Sequence, residues 1–199
     1  MSRIVRLSLL IALSTTAFIS AFAGIIPYPN PGTIAPTIPV FATATGDVTG
    51  YFYGYHAGDI DYIRMYDVTS GYTSGYTFEN NKTPVGSSFD FGPVTAGDVI
   101  VFELRNLSYP RSTFASLPSL SADGINHAYI TTYSGGYAGI PAGIFVGMED
   151  MPHRFSDLDY NDDQYVFTNV NESPEPGTLI MFGSGFLGMV AVVRRKINL

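Results

Sequence analysis

Six acidic side chains are crowded into one stretch of the chain, residues 149–167. They are Glu149, Asp150, Asp157, Asp159, Asp162 and Asp163, and Asn161 adds a neutral oxygen. Carboxylates this close repel one another unless water solvates them, protons neutralise them or a cation binds several of them. A Ca²⁺ ion takes about six to eight oxygen ligands, so this stretch could supply most of one coordination shell. The alternative is an acidic, solvated turn between two strands.

The spacing inside this stretch groups its polar side chains. Three oxygen-bearing residues alternate with two apolar ones, in the order Asp157, Leu158, Asp159, Tyr160 and Asn161. In an extended chain this alternation places the three oxygen-bearing side chains on one face. The pattern therefore predicts three possible ligands side by side.

An EF-hand calcium loop does not match this stretch. Its sixth position requires glycine and its twelfth requires glutamate, but the chain has Asp162 and Thr168 there. Further ligands must then come from another segment, for which Glu149 and Asp150 are the candidates. We expect one Ca²⁺ to connect the strand that ends at Glu149 with the loop at 157–162. The expected ligands are Glu149, Asp150, Asp157, Asp159, Asn161 and Asp162.

The N-terminal residues 1–23 have the three parts of a secretory signal peptide. Arg3 and Arg6 provide the positive start, a run of apolar residues follows, and the sequence Ala-Phe-Ala provides the small residues of a cleavage site. We expect export by the Sec machinery and cleavage by signal peptidase after Ala23. An uncleaved N-terminal anchor is the alternative.

A second apolar run covers residues 178–193 and is followed by Arg194, Arg195 and Lys196. Its 16 residues are fewer than the roughly 20 that a membrane-crossing helix needs. Flanking side chains can extend toward the interface and make up the difference. Because basic residues beside a membrane helix stay in the cytoplasm, the run predicts a single membrane helix with the body of the protein outside. A buried C-terminal helix is the alternative.

The tripeptide Pro174, Glu175 and Pro176 stands just before this apolar run. A Pro-Glu-Pro motif, a short membrane helix and a terminal arginine cluster, in this order, resemble the PEP-CTERM sorting signal of Gram-negative bacteria that make extracellular polysaccharide. The resemblance covers residues 174–199. It implies recognition by an exosortase, a membrane cysteine protease-transpeptidase that processes the chain near Pro-Glu-Pro. The two prolines keep this segment extended, in a form that a protease can bind.

The formal net charge is −7, and the charge is unevenly distributed. Outside residues 1–23 and 174–199 the chain has 5 basic and 16 acidic residues, a net charge of about −11. Such a surface disfavours nucleic acid, which binds clustered Lys and Arg, and it attracts divalent cations. The chain has no cysteine, so its core or a bound metal must stabilise it in an oxidising compartment.

Short alternating segments separated by turn residues predict an all-β fold. About seven strands are expected, at 48–56, 61–68, 88–92, 98–106, 128–133, 140–149 and 164–169. Residues 108–123, which contain prolines and many serines, are expected to form a long loop. The predicted architecture is a jelly-roll-like antiparallel β-sandwich over 40–173. A Pro-rich linker at 24–39 precedes it, and the sorting signal at 174–199 follows it.

Two acidic groups carry a second resemblance. Glu149 and Asp150 end a predicted strand, and the sequence Asp-Leu-Asp-Tyr-Asn-Asp follows at 157–162. This arrangement resembles the signature of DUF4114, a family of secreted β-rich domains, and implies that the six expected calcium ligands correspond to its acidic positions. The chain departs from that signature at 152–155, where a Gly-rich gap is usual. It departs again at 163–164, which intervene before the apolar strand.

Catalytic motifs have little support in the sequence. The three histidines, His56, His127 and His153, lack metalloprotease spacing, and no Gly-x-Ser-x-Gly elbow occurs. Without cysteine, a thiol nucleophile is excluded. Paired carboxylates could hydrolyse glycosides, but their close packing is more typical of a cation site. The prediction is therefore a protein that is not an enzyme.

Surface tyrosines suggest a second function. Tyrosine combines an apolar face with a polar tip and can stack on sugar rings. Five candidates lie in predicted strands and turns: Tyr51, Tyr53, Tyr55, Tyr72 and Tyr76. A lectin-like carbohydrate-binding module is the alternative to a structural protein, unless these rings simply cover a half-exposed face of a sheet.

Together these features predict an exported protein, anchored transiently in the inner membrane by its C-terminal helix. It is then expected at the surface of the cell envelope or outside the cell, with a role in the extracellular polysaccharide matrix or in adhesion. Its expected partners are the exosortase, the export machinery and extracellular polysaccharide, and its expected cofactor is structural Ca²⁺.

Overall fold

The computed structural model describes residues 26–28, 31–108 and 111–172. The predicted signal peptide, the sorting signal and the C-terminal membrane helix lie outside the described residues. Within these three ranges no helix is long and apolar enough to cross a membrane.

Ten strands and two short 3₁₀ helices occur within the described ranges. The strands are β1 (Val40–Ala42), β2 (Gly46–Tyr55), β3 (Asp61–Asp67), β4 (Ser88–Val94), β5 (Val99–Asn106), β6 (Ser112–Ala115), β7 (Ala128–Tyr133), β8 (Gly143–Met148), β9 (Asp163–Thr168) and β10 (Val170–Asn171). The 3₁₀ helices are Pro118–Leu120 and Tyr137–Gly139. All seven predicted strands are confirmed, with shifts of a few residues at their ends.

The strands form two antiparallel sheets of five strands each, which confirms the all-β prediction and fits a sandwich. Sheet A has the order β10-β1-β5-β3, and β6 also pairs with β5. Sheet B has the order β4-β2-β9-β8-β7. Strand β5 lies against β3 along one edge and shares its other edge between β1 and β6. This central position explains why β5 has the strongest apolar pattern.

The long loop expected at 108–123 is wrong in part, because strand β6 lies within it. Phe114 of β6 is fully buried and lies opposite Leu104 of β5. Its burial outweighs the weak strand propensity of the surrounding serines and prolines. Strand β10 is also absent from the prediction, and it arises only from its pairing with β1.

The core lies between the two sheets and is built from the alternating apolar residues of their inner faces. In β5 the inward residues Ile100, Phe102 and Leu104 are all buried. Phe102 of sheet A stacks on Phe167 of sheet B, with ring centroids 3.9 Å apart. Because each such ring buries about 150–250 Å², these contacts hold the sheets together without a disulfide.

The N-terminal segment covers part of the outer face of sheet B. The Tyr28 ring packs on Tyr129 and Phe145, and the Asn126 side chain donates a hydrogen bond to the Ala35 carbonyl (3.0 Å). Prolines keep this segment extended and remove backbone donors. It can therefore lie on a sheet face without joining the sheet.

One end of the sandwich collects acidic residues, and we call it the acidic end. Strand β3 begins at Asp61, β9 begins at Asp163, and β8 ends just before Glu149 and Asp150. The two sheets are joined here, since Asn106 at the end of β5 donates a hydrogen bond to the Asp150 carbonyl (2.9 Å). The topology thus brings together acidic residues that are about a hundred positions apart in the sequence.

Candidate metal centre

The carboxylates of the acidic end form two separate groups. The loop cluster consists of Glu149, Asp157 and Asp159, and the inner cluster consists of Asp61, Asp150 and Asp163. Within each cluster, one carboxylate oxygen of every residue lies within 4.8 Å of the others. Such spacing suits a shared Ca²⁺ ion, whose oxygen ligands lie at about 2.3–2.6 Å.

Glu149 organises the loop that carries the loop cluster. Its side chain is fully buried, and its two oxygens accept hydrogen bonds from the Tyr160 backbone N–H and the Ser156 hydroxyl. The loop therefore folds back over the end of β8 and brings Asp157 and Asp159 to Glu149.

The loop backbone is not extended, contrary to the prediction. Leu158 and Tyr160 have left-handed backbone conformations, with φ of 53° and 58°. Such conformations cost about 1–3 kcal/mol each, which the burial of both side chains must offset. Asp157 is exposed and Asp159 is half-buried. The apolar residues of the loop still point inward and the polar ones outward. The left-handed backbone conformations, and not strand alternation, produce this separation.

Close packing fixes this loop against β8. A Cβ atom at Gly147 would lie 2.3 Å from the Tyr160 carbonyl oxygen, so glycine permits the approach of loop and strand. On the other side, the Tyr160 hydroxyl accepts a hydrogen bond from the Ala35 backbone N–H (2.7 Å). The loop is thus held between β8 and the N-terminal segment, which preorganises its carboxylates.

The loop cluster contains charges that repel one another. Burial is the main cause that raises the pKa of Glu149 to about 7, and the carboxylates of Asp162 and Asp157 contribute to this rise. The Asn161 backbone N–H donates a hydrogen bond to Asp159 Oδ1 (3.1 Å), and its side-chain amide donates to the other oxygen. Asn161 therefore orients Asp159 beside Glu149.

The inner cluster lies between the two sheets. Asp61 is the first residue of β3 in sheet A, Asp163 is the first residue of β9 in sheet B, and Asp150 follows β8. Asp61 and Asp163 are fully buried, and Asp150 is 4% exposed. Acidic residues are almost never fully buried unless they are paired or bind a metal.

Four buried oxygens at this place have no hydrogen-bond partner. They are Asp163 Oδ1, Asp163 Oδ2, Asp61 Oδ1 and the Tyr165 hydroxyl. The other Asp61 oxygen accepts a hydrogen bond from the Asn80 side chain (3.0 Å). About 90% or more of buried polar groups in proteins have a partner. A group of four unpartnered oxygens is therefore exceptional and makes the inner cluster a candidate ligand site.

No cationic side chain in the described ranges neutralises these carboxylates. The ion pairs found there lie elsewhere, between Arg64 and Glu103, Lys82 and Glu79, and His127 and Asp123. The negative charge of the inner cluster must therefore be balanced by protons or by a bound cation.

Burial is the main cause that raises the pKa values of the inner cluster and its neighbour Asp162. Together with Asp163 and Asp59 it raises the pKa of Asp61 to about 9. It raises the pKa of Asp150 to about 7, with Asp61 contributing, and that of Asp162 to about 8, with Asp150 contributing. The pKa of Asp163 is also raised well above its ordinary value by burial and by Asp150 and Asp162. Without a cation these groups hold protons at neutral pH, and a cation would displace them.

The structure places four of the six predicted ligands in the two clusters and the other two beside them. Three of them form the loop cluster, and Asp150 belongs to the inner cluster. Asp162 lies beside Asp150, whose backbone N–H donates to Asp162 Oδ2 (3.2 Å). Asn161 contacts Asp159 in the loop.

Asp61 and Asp163 are absent from the predicted ligand set. The sequence pattern could have identified both as buried, because each alternates in step with the buried apolar residues of its strand. In β3 the alternation places Asp61 on the same face as Ile63 and Met65. An aspartate in phase with apolar residues of a strand indicates a buried carboxylate.

Two of the three histidines, His127 and His153, lie near Asp123, and the third lies elsewhere. His127 is fully buried, and its Nε2 lies 3.0 Å from Asp123 Oδ1. Burial is the main cause that lowers the pKa of His127. The His153 backbone N–H also donates to Asp123 (2.8 Å), whereas His56 is exposed just after β2.

The five tyrosines considered for carbohydrate binding do not share one surface. Tyr51 and Tyr53 pack on the outer face of sheet B, whereas Tyr76 lies over two arginines of sheet A. Tyr55 and Tyr72 are exposed at 40% and 37%. The Tyr55 ring lies beside the buried Phe52, with ring centroids 6.3 Å apart.

Comparison with known protein families gives a match at the C-terminal end of the chain. The family model of the PEP-CTERM protein-sorting motif matches residues 174–196. The chain carries a PEP-CTERM sorting motif. This motif implies recognition by an exosortase, with export to the cell surface or envelope. The resemblance to DUF4114 is not confirmed. No curated protein and no solved structure matches the chain significantly.

Proposed function

We propose that this chain is an exported, non-enzymatic β-sandwich protein that an exosortase sorts to the cell envelope or the extracellular matrix, and that Ca²⁺ stabilises its acidic end. The observation that carries the proposal is the PEP-CTERM motif at 174–196, which begins shortly after β10. In this reading the sandwich lies directly outside the membrane until the exosortase acts. The acidic composition of the sandwich agrees with an exterior location, where divalent cations are available.

Glu175→Ala is expected to leave the chain unprocessed. Glu175 is the charged residue of the extended Pro-Glu-Pro segment that a protease can bind, so its loss should trap the precursor in the membrane. Electrophoresis of membrane and secreted fractions from a host with an exosortase measures the ratio of precursor to processed chain. Glu172→Ala, three residues upstream, is the matched control and should be processed normally. Normal processing of Glu175→Ala, or processing in a host without exosortase, would contradict the sorting proposal.

The loop cluster supports the calcium part of the proposal. Its three carboxylates lie in a loop that Gly147 and the Tyr160 hydroxyl hold in place. A preorganised set of oxygens binds a cation more tightly than a flexible one, because less conformational entropy is lost on binding. The ligand types are those that Ca²⁺ prefers.

The double variant Asp157→Asn/Asp159→Asn is expected to weaken calcium binding at the loop cluster more than about a hundredfold, so that titration no longer detects it, since even one outer partner of a metal ligand contributes about 10–100-fold to affinity. Calorimetric titration of the full chain measures this affinity. Asp47→Asn, an exposed position near the opposite end of β2, makes the same chemical change away from the acidic end and should bind normally. An unchanged loop affinity in the double variant contradicts the proposal.

Burial of the inner cluster supports a role outside catalysis. Glycoside hydrolysis requires two carboxyl groups that flank the bond of a bound sugar. Asp61 and Asp163 are fully buried, so a polysaccharide cannot approach them. The inner carboxylates are suited to holding a small ion within the fold.

A further inference from the structure

We propose that the inner cluster of Asp61, Asp150 and Asp163 is a second calcium site, separate from the loop cluster, and that its ion connects the two sheets. The observation behind this proposal is the set of fully buried carboxylate oxygens without partners. Both oxygens of Asp163 and one of Asp61 accept no hydrogen bond, and the cluster spacing places them within reach of one ion.

The surroundings distinguish this cluster from an ordinary acidic patch. An exposed patch is solvated, but Asp61 and Asp163 have no exposed surface. They face each other from opposite sheets, and among the described residues no Lys, Arg or His forms an ion pair with them. A single cation at this place would give every unpartnered carboxylate oxygen an electrostatic partner at once.

Neutral side chains hold the ligands in position. Asn80 donates a hydrogen bond to Asp61 Oδ2 (3.0 Å) and accepts one from the Asp61 backbone N–H (3.2 Å). Asn106 donates to the carboxylate of Asp59 (2.7 Å) and to the carbonyl of Asp150 (2.9 Å). Metal ligands in proteins are oriented by outer partners of this kind. The bonds from Asn80 and Asn106 leave Asp61 Oδ1 and both oxygens of Asp163 without a hydrogen bond of ordinary geometry.

The chemistry of the atoms favours Ca²⁺. All unpartnered atoms at the centre are oxygens, which suit a hard cation. Mg²⁺ usually keeps several water molecules and uses only one or two carboxylates, whereas Ca²⁺ accepts a larger set of protein oxygens in flexible geometry. Three buried carboxylates correspond to the calcium pattern.

The ion would cross-link the two halves of the sandwich. Asp61 begins β3 of sheet A and Asp163 begins β9 of sheet B, so binding to both fixes the separation of the sheets at this end. The chain has no cysteine, and a metal that binds only the folded state stabilises the fold. This inference depends neither on the exosortase nor on the loop cluster.

Calorimetric titration of the full chain with CaCl₂, after chelation and purification in detergent, is expected to show two ions per chain. Asp163→Asn should bind one ion, and the loop variant Asp157→Asn/Asp159→Asn should also bind one. Asp47→Asn should bind two. Because asparagine has the shape of aspartate without its charge, Asp163→Asn should remain folded in chelator, with a melting temperature at least equal to that of the unchanged chain.

Terbium luminescence locates the inner ion. Tb³⁺ substitutes for Ca²⁺ and accepts excitation energy from nearby tyrosine rings, and the chain has no tryptophan to obscure this signal. Tyr165 is fully buried and lies two residues after Asp163 in β9, on the same face of the strand. Burial, together with Asp163 and Asp61, raises the pKa of its hydroxyl. In the loop variant, Tyr165→Phe is expected to remove most of the emission while titration still shows one bound ion.

The outcomes separate this site from the loop site. Two ions bound to Asp163→Asn, or terbium emission of the loop variant that Tyr165→Phe leaves unchanged, would overturn the inner site and leave the loop site standing. One ion in the unchanged chain that is lost in Asp163→Asn supports the inner site and refutes the loop site. No binding by the unchanged chain overturns both.

Discussion

Chelation of calcium at pH 7.5 is expected to lower the melting temperature of this protein by about 10 °C for each site that is emptied. An ion that binds only the folded state stabilises it by about 4 kcal/mol when its free concentration is 1,000 times Kd. In a domain of this size each kcal/mol corresponds to about 2–4 °C.

Variants show which site causes the fall in melting temperature on chelation. In Asp163→Asn the difference between calcium and chelator should fall by about half, because only the loop site remains, and in Asp47→Asn it should be unchanged. Returning Ca²⁺ should restore the melting temperature of the chelated protein, and Mg²⁺ at the same concentration should restore less of it. Equal melting temperatures with and without calcium would contradict the calcium account.

Raising the pH from 7 to 9 in the presence of chelator is expected to destabilise the protein. Asp61 and Asp162 have pKa values raised to about 9 and about 8 in the folded protein, whereas an unfolded aspartate loses its proton near pH 4. The folded state therefore holds protons that the unfolded state has lost. Their stabilising contribution is complete below pH 4 and disappears as the pH rises through the folded values.

The expected loss is about 2 kcal/mol or more over these two pH units, since each retained proton corresponds to about 1.4 kcal/mol per unit. The buried His127, whose pKa is lowered, titrates below this window and does not interfere. With saturating calcium the carboxylates are ionised throughout, so the melting temperature should hardly change between pH 7 and 9. Thermal unfolding followed by circular dichroism measures both curves. A melting temperature that rises with pH in chelator would contradict the assignment.

Alternation of residues was sufficient to predict the sandwich, but not every strand in it. β5 and β7 are evident because their own residues carry the apolar pattern. β6 contributes only Phe114 and Ala115 to the buried interior, and its strand conformation depends on pairing with β5. Such pairing is a tertiary interaction between segments, and a local pattern does not contain it.

In the candidate site, too, the sequence predicts what depends on neighbouring residues and misses what depends on tertiary contacts. The acidic residues between Glu149 and Asp163 are visible as a cluster because they are close in the sequence. Their separation into two sites depends on Asp61, which is about a hundred positions away and reaches Asp163 only because β3 and β9 lie on facing sheets. The loop conformation at Leu158 and Tyr160 also depends on distant contacts, because the Ala35 backbone N–H donates a hydrogen bond to the Tyr160 hydroxyl and Gly147 makes room for the loop backbone.

The most direct test of the two proposed calcium sites is the anomalous diffraction of crystals grown at neutral pH with Tb³⁺ in place of Ca²⁺. We expect one anomalous peak between Asp61 and Asp163, coordinated also by Asp150, and a second peak at Glu149, Asp157 and Asp159. Absence of a peak between Asp61 and Asp163, with their oxygens instead hydrogen-bonded to each other or to water, would contradict it.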